Sequence, residues 1–577
     1  MTSTNFHNAM NVPAASTANG AVSYGTPDVS GRCDGRLSWF FKGIRGLNFV
    51  YAAGFLEKSA KENLQDTFCL VMNTRDVLKG KGERELGRKA FQWLLINYPN
   101  EMSKVIRLIP EYGRWDDIYW LFPKKLKLDD ILWVNGNFCC NVDQSTLNCA
   151  KAVQNEAIKI FKNQLQQDWV DFQQSKPISL AAKWAETEGS GDDKKFGLVQ
   201  QLCTEWKIHP KGYRLRLTQM RAVLNVVETL CCGKKWDQID YSKVPSQAMK
   251  KLAKAFAKND EGRFRDWIGK LSKKDRTVKI NTATLHPHQV VQSYLTGMFS
   301  GVADSDPLIE AQWAEIEKSA IKNGSMEKTI VVTDTSGSMY GNQACGVSPI
   351  SVSTALSILI ARSSKAPWNN HIIGFSQSPE FHTLTGNTLH ELVQEVTKIG
   401  HGFNTNFHEV FNTILRRYDQ YKLSPEDMPE RVICISDMQF DQQGNQTNLA
   451  AIDQLFAQRK LRRPTLIFWN VGGALDFPAT NSDSNVCLIG GFSPTILTTL
   501  TTMKTFSPEC VLREVIDSER YQRIRDHLNP PVPVPTPLIS TQGTTHRAHR
   551  LAAEEKLDPS IDAEWVVEDS PSDEEID

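Results

Sequence analysis

Two hydrophobic periodicities divide the chain. From about Leu37 to Ala320 apolar residues recur every three to four positions: Leu64, Phe68, Val71 and Met72 form one stripe, and Leu86, Ala90, Trp93 and Leu94 another. That spacing predicts amphipathic helices. After Asn323-Gly324 the pattern changes to short β-branched runs separated by helical stretches, at Thr329–Thr333, His371–Phe375, Arg431–Ile435, Thr465–Val471 and Val486–Ile489. Such alternation predicts a mostly parallel sheet with helices on both faces. Residues 1 to 30 are rich in Ser, Thr, Asn, Ala and Gly and lack periodicity, which predicts disorder. Ser175 to Lys195, with Pro177 and Gly-Ser-Gly-Asp-Asp, reads as an insertion loop.

The expected organisation is therefore multidomain: a disordered segment 1–30, an all-α region 31–322, a doubly wound α/β domain 323–525, and a linker and tail 526–577. In the last segment Pro530 to Pro537 predicts an extended polyproline stretch and the acidic residues after it predict disorder. A length of 577 residues exceeds one ordinary core, about 150 residues being typical of a unit. No run of about 18 uncharged apolar residues offers a membrane span, and Met1 to Thr26 lacks the basic start and apolar core of a secretory signal. An intracellular, cytoplasmic protein is expected. The twelve cysteines, without paired Cys-x-x-Cys spacing, read as reduced buried thiols, and His286 and His288 as part of a turn.

The formal net charge of zero conceals segregation. Residues 551–577 hold eleven acids and one lysine, whereas 201–280 hold 19 Lys/Arg against 8 Asp/Glu. This suggests an anionic partner for the basic part, or shielding by the tail. Lys207, Lys211, Arg214, Arg216 and Arg221 are interleaved with Trp206 and Tyr213, and Lys250, Lys251 and Lys254 lie beside Phe256. Basic side chains neutralise phosphates and aromatic planes stack unpaired bases, so these eight are the candidate contacts for an anionic partner of the nucleic-acid kind.

The candidate chemistry lies where Ile330-Val-Val-Thr-Asp334 ends. Asp334, Ser336 and Ser338 alternate along a tight loop, so three side-chain oxygens can converge on one point. The next helix has Ser348 as a candidate N-cap and Pro349 at its first position. Gly400 to Asn406 precedes a helical stretch from Phe407 to Tyr421 and supplies Thr405, and Val432 to Ser436 ends at Asp437. Oxygen-only ligands suit Mg2+ or another divalent cation.

Asp334, Ser336, Ser338, Thr405 and Asp437, in this order, resemble the metal-ion-dependent adhesion site (MIDAS) of von Willebrand factor A domains, Asp-x-Ser-x-Ser followed by Thr and Asp. The resemblance implies that Ser336, Ser338 and Thr405 touch the ion and that Asp334 and Asp437 act through water. Asn406 departs from the group, which often has Asp there. No second Asp-Thr-Gly-like triplet, Gly-x-Ser-x-Gly elbow or Gly-x4-Gly-Lys-Ser/Thr loop is present, and no catalytic residue is expected.

Upstream, Arg75-Asp76, Gly80 to Arg84, Glu111 to Asp117, Tyr213-Arg214, Val244 to Ala248 and Arg263-Phe264, with Trp368 and Phe468 to Asn470, resemble an uncharacterised family of plants, fungi and large DNA viruses that joins a helical region to an A domain. That family is similar, more distantly, to the Ro ribonucleoprotein (TROVE) group, in which helical repeats closed by an A domain bind structured and single-stranded RNA. The resemblance implies a TROVE- or HEAT-like repeat region and a non-enzymatic, ribonucleoprotein-like scaffold. Its partners would be RNA at the helices and an acidic ligand, or the chain's own tail, at the metal. A protein-interaction or viral assembly factor without nucleic acid is the rival expectation. For any single residue of the Arg-Asp and Gly motifs, the structural reading is a turn or ion pair locking one hairpin onto the next.

Overall fold

The computed structural model describes residues 34–119, 121, 144–299, 305–322, 326–341, 346–375, 378–399, 407–438, 448–472, 478–479, 483–503 and 505–529, with two-residue strands at 15–16, 22–23, 133–134 and 137–138. Apart from those short strands, the calls on segment 1–30, on Thr405 and Asn406, and on the proline-rich stretch and acidic tail fall outside the described residues.

The helical part begins with α1 (Gly35–Lys42), α2 (Phe49–Glu62), α3 (Leu64–Arg75) and α4 (Arg84–Asn97). Phe68, Val71 and Met72 of α3 and Leu86, Ala90, Trp93 and Leu94 of α4 are buried, as their spacing predicts. Asp34 caps α1 by accepting from the Leu37 amide at 2.7 Å, and Asn63 caps α3 by accepting from Asp66 at 2.9 Å. The buried Lys81 amine donates to the carbonyls of Phe40 and Gly43 at 2.5 and 2.9 Å, satisfying acceptors that the end of α1 leaves open. Glu111 to Asp117 is structural: Asp117 pairs with Arg75 at 2.8 Å and Arg88 at 2.6 Å, and Asp116 with Arg88 at 2.8 Å. Gly113 permits this, because a Cβ there would lie 2.2 Å from an Asp117 oxygen.

The long α5 (Gln144–Gln173) packs against α4 and leads, through short helices in the 175–195 break, to α6 (Pro210–Val223). Next comes a unit the sequence did not announce. α7 (Ser246–Asn259) and α8 (Glu261–Ser272) close over their own apolar core, in which Tyr241, Phe256, Phe264 and Trp267 make mutual ring contacts at 5.0 to 5.9 Å. Nearly all the remaining buried apolar residues, from Leu37 to Leu528, form one continuous core.

After α9 (Pro287–Phe299) and α10 (Pro307–Lys322) the chain enters the sheet. Its strands are β1 (Thr329–Asp334), β2 (His371–Phe375), β3 (Glu380–Thr383), β4 (Arg431–Ser436), β5 (Thr465–Asn470) and β6 (Val486–Gly490). The order is β6-β5-β4-β1-β2-β3, parallel except for the antiparallel edge strand β3. Parallel strands covered on both faces need apolar residues at every position, and β1, β5 and β6 are buried throughout. In α11 (Pro349–Ser363) only Arg362 is not buried, because the helix is sandwiched between the sheet and α9 and α10. Ser348 occupies its N-cap with extended backbone, but its side chain makes no cap hydrogen bond.

The two ends of the described chain then meet. α12 (Pro508–Ile516) and α13 (Glu519–Leu528) pack on α3, where Asp66 pairs with Arg513 at 2.7 Å and Arg525 at 2.8 Å. Asp76 accepts from Arg520 at 2.7 Å and from the Tyr521 hydroxyl at 3.0 Å. Beside α12, β6 touches α1 so closely that a Cβ on Gly490 would lie 1.8 Å from the Phe41 carbonyl oxygen. Helical and sheet parts thus share one packed interior.

Candidate functional site

The sheet order reverses at β1 and β4, which are neighbours although the chain leaves β1 toward β2. In open α/β sheets such a switch point, at the carboxyl ends of the strands, opens a crevice where ligands bind. Asp334 closes β1 and Asp437 follows β4, so the fold brings both to the carboxyl edge of the sheet at the switch point. Asp334 is fully buried. One carboxylate oxygen accepts from the Ser336 amide at 2.9 Å and the other from the Ser436 hydroxyl at 2.5 Å. The Ser336 and Ser338 hydroxyls lie 3.1 Å apart, Ser336 buried and Ser338 exposed at the rim. Below them the Ser353 hydroxyl of α11 reaches the Asp334 carbonyl at 3.2 Å and ties the helix to the strand end. Gly472 leaves room for Asp437: a Cβ there would stand 2.1 Å from the Asp437 Cβ.

Burial and then the neighbouring Asp437 carboxylate push the Asp334 carboxyl up to about 6, against the hydrogen bonds of Ser436 and Ser336. Among the described residues no lysine or arginine forms an ion pair with Asp334. Two carboxylates and two hydroxyls are hard oxygen donors and fit a hard divalent cation of the magnesium class. They do not fit zinc, and among the described residues no three His, Cys, Asp or Glu are gathered as a cage.

Sequence reasoning missed Ser436. Its signal was the Ser-Asp pair ending an otherwise apolar strand, and its hydroxyl both donates to Asp334 and accepts from the Met438 amide at 3.0 Å.

The basic candidates separate. Lys207, Lys211 and Arg214 are exposed around α6, with Arg214 paired to Glu188 at 3.0 Å. Arg216 lies over the Trp169 ring at 5.1 Å. Arg221 is not a free surface cation: its guanidinium donates to the Ala182 and Ala185 carbonyls at 2.9 and 2.5 Å and to the Thr187 hydroxyl at 3.1 Å. It closes a short helix. On α7 Lys251 and Lys254 are exposed, while the Lys250 amine donates to the Gln289 carbonyl at 3.0 Å. The interleaved aromatics are not stacking platforms: Tyr213 and Phe256 are fully buried and Trp206 is half-buried against Tyr213.

The thiols and histidines also depart from expectation. Cys69, Cys203, Cys434 and Cys487 are buried and unbridged, but Cys149 and Cys232 are exposed. His286 and His288 form a stacked pair, 5.4 Å between ring centroids, with His288 fully buried against Phe492.

Residues 328–534 match a family model described as a domain of unknown function (DUF7788), and 207–326 match another (DUF2828). An uncharacterized protein of Acanthamoeba polyphaga mimivirus is 28% identical over 531 residues, which cover 87% of each chain. The crystal structure of the Deinococcus radiodurans Ro (RSR) protein overlaps 84% of this chain and 99% of its own, at 11% identity and a TM-score of 0.37; that likeness is too slight to carry an argument. Among the described residues no helix is long and apolar enough to cross a membrane.

Proposed function

We propose that this chain is a non-enzymatic scaffold whose von Willebrand A-like sheet holds a divalent cation and docks a partner's carboxylate there, while its basic helices hold RNA. The observation that carries the first half is the Asp334 carboxylate, fully buried at the switch point beside Asp437 and held by the Ser336 amide and the Ser436 hydroxyl, with no ion-paired Lys or Arg among the described residues. Asp334, Ser336, Ser338, Thr405 and Asp437 would hold Mg2+. When bound, the ion supplies the missing positive charge and open positions for a carboxylate. The chain's own part is to fix Asp334 by Ser436 and Ser336 and to present Ser338 at the rim.

The RNA half rests on charge rather than on stacking. Exposed lysines on α6 and α7 can neutralise phosphates, and contact of that kind favours structured RNA read through its backbone. The buried aromatics favour the rival, a protein-interaction or assembly factor without nucleic acid.

Two probes test the proposal on the full chain. A fluorescent polyglutamate peptide should bind in Mg2+ and be released by chelator, with Asp334→Ala and Ser336→Ala together abolishing binding; equal binding in chelator would reject the metal-docking half. A labelled RNA hairpin should bind at low salt, and reversing Lys251, Lys254 and Lys258 to Glu should lower the log-log salt slope by about two to three. An RNA left unbound at low salt selects the rival.

A further inference from the structure

The helical hairpin α7–α8 with its separate core carries more positive charge than its own acids balance. Residues 226–285 hold 14 Lys/Arg against 7 Asp/Glu. Most of the acids are already engaged: Asp260 with Arg263 at 2.8 Å, Glu261 with Arg265 at 2.5 Å, Asp266 with Lys270 at 2.7 Å and Asp240 with Lys243 at 3.2 Å. Asp275 is turned to the Thr277 amide and hydroxyl at 2.9 and 2.8 Å.

What remains is organised. Lys251, Lys254 and Lys258 follow one another at intervals of three and four, which places them on one face of α7. All three are exposed, and among the described residues no acid pairs with any of them. The exposed Lys273, Lys274 and Arg276 lie in the loop that returns to the start of α7, where the amides of Lys279 and Thr284 donate to the Ser242 and Ser246 hydroxyls at 3.3 and 3.4 Å. The result is a basic stripe with a basic end.

We infer that this stripe docks the acidic segment 551–577 of the same chain. The occupant is argued from charge and reach. Eleven acids against one lysine give that segment the complement of the stripe. The described chain ends at Asn529, leaving 48 residues, whose contour is about 160 Å. A compact body of this size has a radius of gyration of only about 23 Å, so the segment can reach any face. Tethering converts weak exposed ion pairs into an intramolecular contact at high effective concentration. The strand-end site offers a carboxylate only the open positions of one bound cation, whereas the stripe and its end present six exposed basic side chains, so the segment goes to the hairpin.

This docking does not depend on RNA, and its test uses nucleic-acid-free protein. The full chain is treated with a zero-length carbodiimide cross-linker at low salt and analysed by mass spectrometry. Intrachain links from acids of 554–577 to Lys251, Lys254 or Lys258, independent of protein concentration, are expected. Their yield should fall at least about threefold at 0.5 M salt, and likewise when Asp573, Glu574, Glu575 and Asp577 are changed to Asn, Gln, Gln and Asn. Links spread evenly over surface lysines, links only between chains, or no links at all would each overturn the inference.

Discussion

At the scale of single residues, Ser436 governs the strand-end site. Its hydroxyl is within 2.5 Å of Asp334 and 3.0 Å of the Met438 amide, so Ser436→Ala leaves a buried carboxylate oxygen without its donor. The expected cost is about 1 to 3 kcal/mol in urea denaturation, and an unchanged midpoint would show that Asp334 does not rely on this bond. Gly472→Ala should also destabilise, because the added Cβ meets Asp437 at 2.1 Å and the nearest atoms belong to its Cα and Cβ rather than to a mobile tip. Asp334, Ser336, Ser338 and Asp437 were legible because acids and hydroxyls at the ends of apolar runs stand out. Ser436 was not, since it reads as the strand's last residue. Arg221 was misplaced for a related reason: a basic residue on a helix looks the same in sequence whether it meets solvent or a neighbouring helix's carbonyls.

At the scale of elements, the stacked histidines flank Pro287 at the start of α9. His288 lies fully buried against Phe492, and the cations Arg45 and Lys250 oppose its protonation, as does the amino end of the helix; Glu83 nearby is engaged by Arg45 at 3.0 Å. Burial, then Arg45, lowers His286 to about 4, and burial lowers His288 well below its ordinary value. The unfolded chain therefore binds more protons below pH 6.5, so stability is full above that pH and is lost as pH falls toward 4. For His286, partly open to a cavity, the loss is at most about 3 kcal/mol. His288→Phe, which keeps an aromatic ring against Phe492, should remove about half of the pH dependence of the urea midpoint between pH 6.5 and 5, leaving the share of His286; the same slope as the parent would show that His288 contributes none of it. The parallel strands were legible almost residue for residue because burial on both faces makes them continuous apolar runs. Edge strand β3, Glu-Phe-His-Thr and largely open, gave no such signal.

At the scale of the whole molecule, closure depends on pairs that no local pattern reveals. Asp76 and Arg520 are 444 residues apart, yet their ion pair and the Tyr521 hydroxyl join α3 to α13. Asp76→Ala should cost about 3 kcal/mol and raise hydrogen exchange in 519–528, because it strands a half-buried guanidinium and a buried phenol. No change in exchange there would mean that apolar packing alone closes the molecule. The same blindness to long-range contact hid the second core: its helices were legible, but not the fact that with Leu308 of α10 they enclose an apolar cluster separate from the main interior.

Mn2+ titration of the full chain followed by electron paramagnetic resonance reads directly whether the strand ends at the switch point hold a cation. One bound ion per chain is predicted, with affinity reduced at least about tenfold by Asp334→Ala and Ser336→Ala together. The fold of that variant should persist, since removing Asp334 relieves its repulsion with Asp437. No bound ion at millimolar Mn2+, or undiminished binding by the folded variant, would contradict the proposed cation site.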